Sequence, residues 1–119
     1  KKGDNVFIPG FLHTVRPVAL ESTPVFIENQ REYAVMETKN FGTVTEIEVG
    51  ALMVGKIKNH DGACNIKKGD EKGMFLFGGS TIVLLIEKDK VNMNKKYFEA
   101  TEKGLELEVK MGEKIGIKK

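Results

Sequence analysis

The chain has 119 residues and a mass of 13.2 kDa, room for one domain and one core. Hydrophobic residues at 40% and charged residues at 30% exclude a disordered tail and a membrane-spanning bundle. A net charge of +2 is too small to imply nucleic acid or an anionic lipid surface as a partner.

A single cysteine, Cys64, excludes an internal disulfide and a cysteine zinc cluster. Glycine is the outlier: 13 residues of 119, about 11% against roughly 7% in average usage. With no low-complexity tract, that excess predicts tight turns between short strands. The start, Lys1-Lys2-Gly3-Asp4-Asn5, is polar and has no apolar segment of the kind a signal peptide carries. It also lacks an initiator Met, so the chain reads as a fragment or a processed product. The most apolar stretch, Met74 to Ile86, is interrupted by Gly78-Gly79-Ser80-Thr81. It is shorter than the ~20 residues a membrane helix needs and reads as core.

In chain order, Val6-Phe7-Ile8 is an apolar run ended by the turn pair Pro9-Gly10. Phe11 to Val15 resumes it. Pro17 and Pro24 bracket a loop or short helical turn, and Pro24 to Arg31 is ambiguous. Glu32 to Thr38 alternates, with Tyr33 and Val35 on one face and Ala34 and Met36 on the other. Lys39-Asn40-Phe41-Gly42 reads as a hairpin turn. Thr43 to Val49 alternates best and is rich in β-branched residues, as a half-buried strand should be. Ala51 to Val54, flanked by Gly50 and Gly55, reads as a short buried strand continued outward by Lys56-Ile57-Lys58. Asn59-His60-Asp61-Gly62 and Lys67-Lys68-Gly69-Asp70 are turns.

Met74 to Phe77 and Ile82 to Ile86 are apolar on both faces, which predicts central strands buried on both sides. Lys88-Asp89-Lys90 is a charged turn. Tyr97 to Lys103 reads as a short helix stopped by Gly104, and Leu105, Leu107 and Val109 alternate with charged residues as a further strand. The spacing is too tight for βαβ units. The expected fold is one mainly β domain over residues 1–119, barrel-like or a barrel-sandwich hybrid, with little helix. Lys68-Gly69-Asp70-Glu71-Lys72-Gly73 and Met111-Gly112-Glu113-Lys114-Ile115-Gly116 share a Gly, an acidic residue and a second Gly four positions on. That pattern fits two equivalent turns in a pseudo-symmetric barrel, and also chance similarity.

His13 and His60 are the only histidines, 47 positions apart, and form no metal motif. Each reads as a solvated or packed imidazole, and Cys64 as structural. No metal is expected. Gly78-Gly79-Ser80-Thr81 is the segment where chemistry can live. Glycine at 78 and 79 lets the backbone take strained conformations that flanking strands could hold. In a twisted loop Oγ of Ser80 can attack the Gly79 carbonyl and turn the amide into an ester. β-Elimination then leaves dehydroalanine, which hydrolyses to a pyruvoyl group. Such a group forms a Schiff base with an amine and draws electrons as pyridoxal phosphate does. Four letters alone are weak, since Gly-Gly-Ser-Thr is usually a flexible turn.

The segment from Lys68 to Leu85 resembles the processing site of phosphatidylserine decarboxylases, which carry Gly-(Asp/Glu)-Glu-(Lys/Met)-Gly-x-Phe, then (Leu/Gly)-Gly-Ser-Thr and an apolar strand. The resemblance covers nearly the whole chain in family order. It includes Pro9-Gly10 to Leu20, Asn29-Gln30-Arg31-Glu32-Tyr33, Asn40-Phe41-Gly42, Glu48-Val49-Gly50-Ala51 with Val54-Gly55, and Met111 to Gly116. It implies a pyruvoyl enzyme that converts phosphatidylserine to phosphatidylethanolamine and carbon dioxide after cleaving itself between Gly79 and Ser80. Ser80 would become the pyruvoyl group, with Gly78 supplying backbone freedom and Thr81 a nearby hydroxyl. The resemblance also implies β and α chains after cleavage, here 79 and 119 − 79 = 40 residues. A peripheral place on the cytoplasmic face of the cell membrane and a possible homo-oligomer follow from it too.

The family is longer on the N-terminal side. There it has membrane-meeting helices, an Asp, and a Tyr-His-Arg-x-His stretch whose histidines assist processing and decarboxylation. Nothing in this sequence matches that stretch, and neither His13 nor His60 falls where the family places its catalytic histidine. The chain by itself is therefore expected to stay uncleaved and inactive. Two alternatives remain: a lipoyl- or biotinyl-like carrier, with Met36-Glu37-Thr38-Lys39 as the attachment hairpin, and a non-catalytic lipid-binding remnant.

Overall fold

A computed structural model describes residues 1–53 and 56–119. Among the described residues, three antiparallel sheets are assembled from eight short strands. These are β1 (Lys2–Ile8), β2 (Arg31–Thr38), β3 (Gly42–Val49), β4 (Ile57–Asn59), β5 (Gly73–Phe75), β6 (Thr81–Ile86), β7 (Val91–Met93) and β8 (Gly116–Lys118). Helix among the described residues is limited to α1 (Pro17–Leu20), α2 (Val25–Glu28) and α3 (Lys95–Glu102). The main sheet runs β1-β2-β3-β6, with β4-β5 and β7-β8 as separate pairs. The mainly β expectation holds. No closed barrel is formed by the described residues, whose sheets stay open.

Residues 31–49 fold as read. Alternation in β2 buries Ala34 and half-buries Met36 while Val35 stays exposed, and the turn at Lys39-Asn40-Phe41 returns the chain into β3 in full register from Thr38–Gly42 to Arg31–Val49. Thr38 fastens that turn, accepting from the Phe41 backbone N–H and donating to the Gly42 carbonyl. The same register sets Glu32 directly opposite Glu48. Like charges facing each other across a ladder are destabilising. The pair is relieved from β4 and the turn before β5. Asn59 Nδ2 donates to Glu32 Oε1 at 2.7 Å, and Lys72 Nζ pairs with Glu48 Oε1 and donates to Asn59 Oδ1. This network carries β4-β5 onto the Glu48 side of the main sheet.

The ambiguous stretch before Arg31 becomes a corner centred on Asn29, which is fully buried. Its backbone N–H closes α2 on the Val25 carbonyl. Its side chain accepts from the His13 N–H at 3.1 Å and donates to the carbonyls of His13 and Gly50, both at 2.8 Å. The 11–13 segment, α2 and the end of β3 meet at this amide, beside backbone bonds from Phe11 N–H to the Glu28 carbonyl, Gln30 N–H to the Phe11 carbonyl and Gly50 N–H to the Gln30 carbonyl.

The two Gly-acidic turns are built alike. Gly69 and Gly112 both have positive φ, +94° and +78°, where a side chain would be strained. The acidic residue after each turns back on the residue two before the glycine. Asp70 Oδ2 accepts from the Lys67 N–H at 2.7 Å, and Glu113 Oε2 accepts from the Lys110 N–H at 3.0 Å. The second glycine of each then opens a strand, β5 at Gly73 and β8 at Gly116.

Four expectations are corrected. Leu105 to Val109 is not a strand: it is irregular and exposed, because alternation asks for an extended segment but supplies no partner ladder. Leu52 and Met53 form an exposed turn, Met53 with φ +69°, rather than a buried strand. Val54 and Gly55, expected to continue that strand, lie outside the described residues. The 74–77 strand stops at Phe75, since Phe77 turns to φ +67°. β6 is an edge strand paired with β3 alone, so Ile82, Leu84 and Leu85 are about half exposed rather than buried on both faces.

Candidate functional site

The Gly78-Gly79-Ser80-Thr81 segment joins β5 to β6. After β5 the Leu76 N–H still reaches the Lys56 carbonyl. The backbone then leaves the ladder through two successive left-handed residues, Phe77 at φ +67° and Gly78 at φ +125°. A non-glycine residue there costs on the order of 1–3 kcal/mol and persists only when its surroundings impose it. Phe77 is 90% exposed, so packing of its ring does not compensate. The strain is held from both sides by β5 and by the β3-β6 ladder.

Gly79 has no positive φ, and a Cβ added there would meet nothing within 4 Å. The conformational demand that the sequence assigned to both glycines falls on Gly78. Thr81 opens β6 directly opposite Val49, so its role in the structure is to set register. Ser80 is half-buried, and its Oγ donates to the Val49 carbonyl at 2.5 Å. Val49 is itself fully buried at the end of β3, next to Gly50, whose carbonyl is held by Asn29. The Ser80 hydroxyl is therefore tethered to the buried end of β3, immediately after the loop's strained turn.

Ser80 Oγ is linked to the Gly79 carbonyl carbon through only its own Cβ, Cα and N, so attack closes a five-membered ring. The hydroxyl must give up its proton, and the Val49 carbonyl is an acceptor without being a base. His60 Nε2 lies 2.6 Å from Glu71 Oε1, and His13 Nε2 lies 3.7 Å from Glu28 Oε2 with its ring 5.4 Å from that of Phe11. Among the described residues neither imidazole reaches Ser80 through a hydrogen bond or ion pair. Among the described residues there is also no group of three or more His, Cys, Asp or Glu placed to hold a metal, and no helix is long and apolar enough to cross a membrane. Lys39 is exposed in the β2-β3 turn.

Sequence reasoning missed the groups around Val49. Glu48, the preceding residue, is 6% exposed although its strand reads as half-buried with charges outward. Glu46, two residues back on the same face, has its carboxyl pushed above the usual range by burial, with Glu48 adding to the shift and Lys72 and Lys2 opposing it. Asn29 was noted only as part of a resemblance. The signal available in the sequence was a pair of adjacent amides, Asn29 and Gln30, in a stretch otherwise hard to assign.

A family profile described as phosphatidylserine decarboxylase matches residues 4–117. The chain is 55% identical over 109 residues to phosphatidylserine decarboxylase proenzyme 2 of Clostridium acetobutylicum, covering 92% of this chain and 37% of that protein. It is 50% identical over 115 residues to the proenzyme of Clostridium novyi, covering 95% and 39% respectively. It is also 42% identical over 114 residues to that of Fusobacterium nucleatum, covering 94% and 38%. It thus spans less than two fifths of the length of these curated relatives, all three of which are decarboxylase proenzymes rather than carriers. No solved structure matches. With the profile running over almost every residue and the Gly-Gly-Ser-Thr loop held between two fixed strands, this chain belongs to the phosphatidylserine decarboxylase family.

Proposed function

We propose that the chain is the self-processing core of a pyruvoyl-dependent decarboxylase acting on phosphatidylserine, with Gly79-Ser80 as the bond that is cut. The observation that carries the reading is the loop itself: two left-handed residues, Phe77 and Gly78, immediately precede a serine whose hydroxyl is anchored on Val49.

In this reading Ser80 Oγ attacks the Gly79 carbonyl carbon. The C–N bond breaks, the Ser80 nitrogen takes a proton, and an ester joins the two residues. Removal of the Ser80 Cα proton then expels the Gly79 carboxylate and leaves dehydroalanine. Its imine tautomer is hydrolysed by water to a ketone with release of ammonia. Residues 1–79 end in a free carboxylate and residues 80–119 begin with the pyruvoyl group. The residues present fit that group: Gly78 and Gly79 are exposed, and the space over Gly79 is open to an incoming substrate. The group supplies a ketone beside an amide, an electron sink for loss of carbon dioxide from an amine-bearing carboxylate. β3 holds the position from which it acts, through the Val49-Thr81 register.

The proton acceptor for both steps comes from outside this chain, and general-base help is typically worth 10²–10⁴-fold. The lipid substrate brings with it a peripheral position on the cytoplasmic face of the cell membrane, and α and β chains that remain associated. The test joins the chain in frame to the upstream part of the Clostridium acetobutylicum relative and measures carbon dioxide released from phosphatidylserine vesicles. Release is expected, and none from a Ser80→Ala version, which has no oxygen to eliminate. Equal release with and without Ser80 would overturn the reading.

A further inference from the structure

The left-handed turn at Phe77 and Gly78 must be held by its ends, because the exposed Phe77 ring holds nothing. Both ends are fastened to consecutive residues of β3. Downstream, Ser80 Oγ donates to the Val49 carbonyl, and Thr81 lies opposite Val49 in the β3-β6 ladder. Upstream there is no such ladder, since β4 and β5 form a sheet of their own. That end reaches β3 through a side chain: Lys72, the residue before β5, pairs with Glu48. Residues 73–79 therefore run between two fastenings at Glu48 and Val49. The upstream one is well built. The side chains of Lys72 and Glu48 are only 9% and 8% exposed. Lys72 Nζ also donates to Asn59 Oδ1 at 2.8 Å, and Asn59 Nδ2 donates to Glu32 Oε1 at 2.7 Å, a second tie to the main sheet. Gly73 makes room for this contact: a Cβ there would stand 2.7 Å from Asn59 Oδ1 and 2.5 Å from the Lys58 carbonyl oxygen.

We propose that Lys72 is a positioning residue for cleavage at Gly79-Ser80, acting through the Phe77-Gly78 turn that its pairing with Glu48 keeps wound. The inference rests on the self-processing reading and adds to it the group that stores the strain. Lys72 Nζ is committed to Glu48 and Asn59. Among the described residues it makes no hydrogen bond or ion pair with Ser80, so it acts on the backbone path and not on the hydroxyl. With the upstream end fastened, the intact amide carries the cost of two left-handed residues, and breaking the Gly79-Ser80 C–N bond frees the turn. With Lys72 unfastened, the turn relaxes while the amide is still whole, and that drive towards the ester is lost. What matters is then that the end is held, not that it is held by charge. Removing one partner of a buried ion pair leaves an uncompensated charge, whereas replacing both by apolar residues of similar volume is often neutral. An apolar pair at these two positions should therefore do the same work.

The experiment has two readouts. In the isotope-labelled 119-residue chain, a strong intraresidue HN–Hα NOE marks the left-handed φ of Phe77. It is expected in the parent, weakened in Lys72→Met, and regained in the double variant Lys72→Met with Glu48→Leu. In the chain joined to the upstream part of the Clostridium acetobutylicum relative, Lys72→Met should slow release of the C-terminal piece by roughly ten-fold or more, the rate equivalent of the strain such a turn stores. Hydroxylamine at neutral pH cuts an ester and spares an amide, so it should cut a smaller fraction of uncleaved Lys72→Met chains after Gly79. The double variant should recover both the rate and the trapped fraction. Asn59→Ala, which leaves the ion pair and removes its second tie, serves if Lys72→Met does not fold, with a several-fold slowing and a weakened Phe77 NOE expected. A parent joined chain that never cleaves overturns the self-processing reading and this inference with it. A parent that cleaves while Lys72→Met cleaves equally fast, or with the Phe77 NOE unchanged, overturns the inference alone. A double variant as slow as Lys72→Met would mean that the ammonium itself is required, and also overturns it.

Discussion

Replacing Asn29 by alanine removes the amide at which the 11–13 segment, α2 and the end of β3 meet. The side chain is fully buried and makes three hydrogen bonds to backbone, at 3.1, 2.8 and 2.8 Å. Each is worth roughly 0.5–1.5 kcal/mol net, and a buried group left without a partner costs more than the mean. The His13 carbonyl keeps the Leu52 N–H at 3.2 Å, so it is not orphaned. The Gly50 carbonyl and the His13 N–H lose the partner that Asn29 supplied. The sum is about 3 kcal/mol, a large share of the 5–15 kcal/mol typical of a whole domain. With a urea slope of about 1.5 kcal/mol/M, the midpoint should fall by about 2 M. Equilibrium urea unfolding followed by circular dichroism measures it, with Asn40→Ala in the exposed β2-β3 turn as the control, expected within about 0.5 kcal/mol of the parent. A midpoint for Asn29→Ala within the error of that control would refute the contribution assigned to this amide.

The processing loop gives a contrast between adjacent glycines. Gly78→Ala should cost on the order of 1–3 kcal/mol because φ +125° is strained for a side chain, whereas Gly79→Ala should unfold within about 0.5 kcal/mol of the parent, and urea midpoints separate the two. Glu46 gives a pH signature. Its folded pKa is raised above 4.5, so the folded state holds the proton more firmly than the unfolded chain; the stability this contributes is full below 4.5 and is lost as pH rises through the folded value. Glu46→Gln should flatten the stability-pH curve in that window, and an unchanged slope there would contradict the burial assigned to its carboxyl.

How much of this was legible depended on which property each residue reports. β2 and β3 were readable because one face is buried and the other is not, and period two records that contrast. β6 was readable as a strand and misplaced within the sheet. Ile82 to Ile86 are apolar on both sides, and apolarity says that a face tends to be covered without saying that another strand does it. Leu105 to Val109 failed for the complementary reason: the pattern is local, but a ladder needs a second segment in register. The Lys72-Glu48 pair was invisible because a glutamate in an alternating strand reads as solvent-facing, and its burial is decided by a lysine 24 positions away that arrives with β5. At the loop itself, the adjacent glycines made backbone strain legible, while its sharing between Phe77 and Gly78 rather than the two glycines is a property of the backbone path alone.

The account rests on Ser80 becoming a ketone, and mass analysis measures that directly. The 119-residue chain by itself, after prolonged incubation, should run as one intact species, since among the described residues Ser80 Oγ is hydrogen-bonded to the Val49 carbonyl and to neither imidazole. Joined to the upstream part of the Clostridium acetobutylicum relative, it should release a 40-residue C-terminal piece whose first residue lacks an amine and reacts with a hydrazine. A joined chain that stays whole, or a 40-residue piece that begins with an unaltered serine, would contradict it.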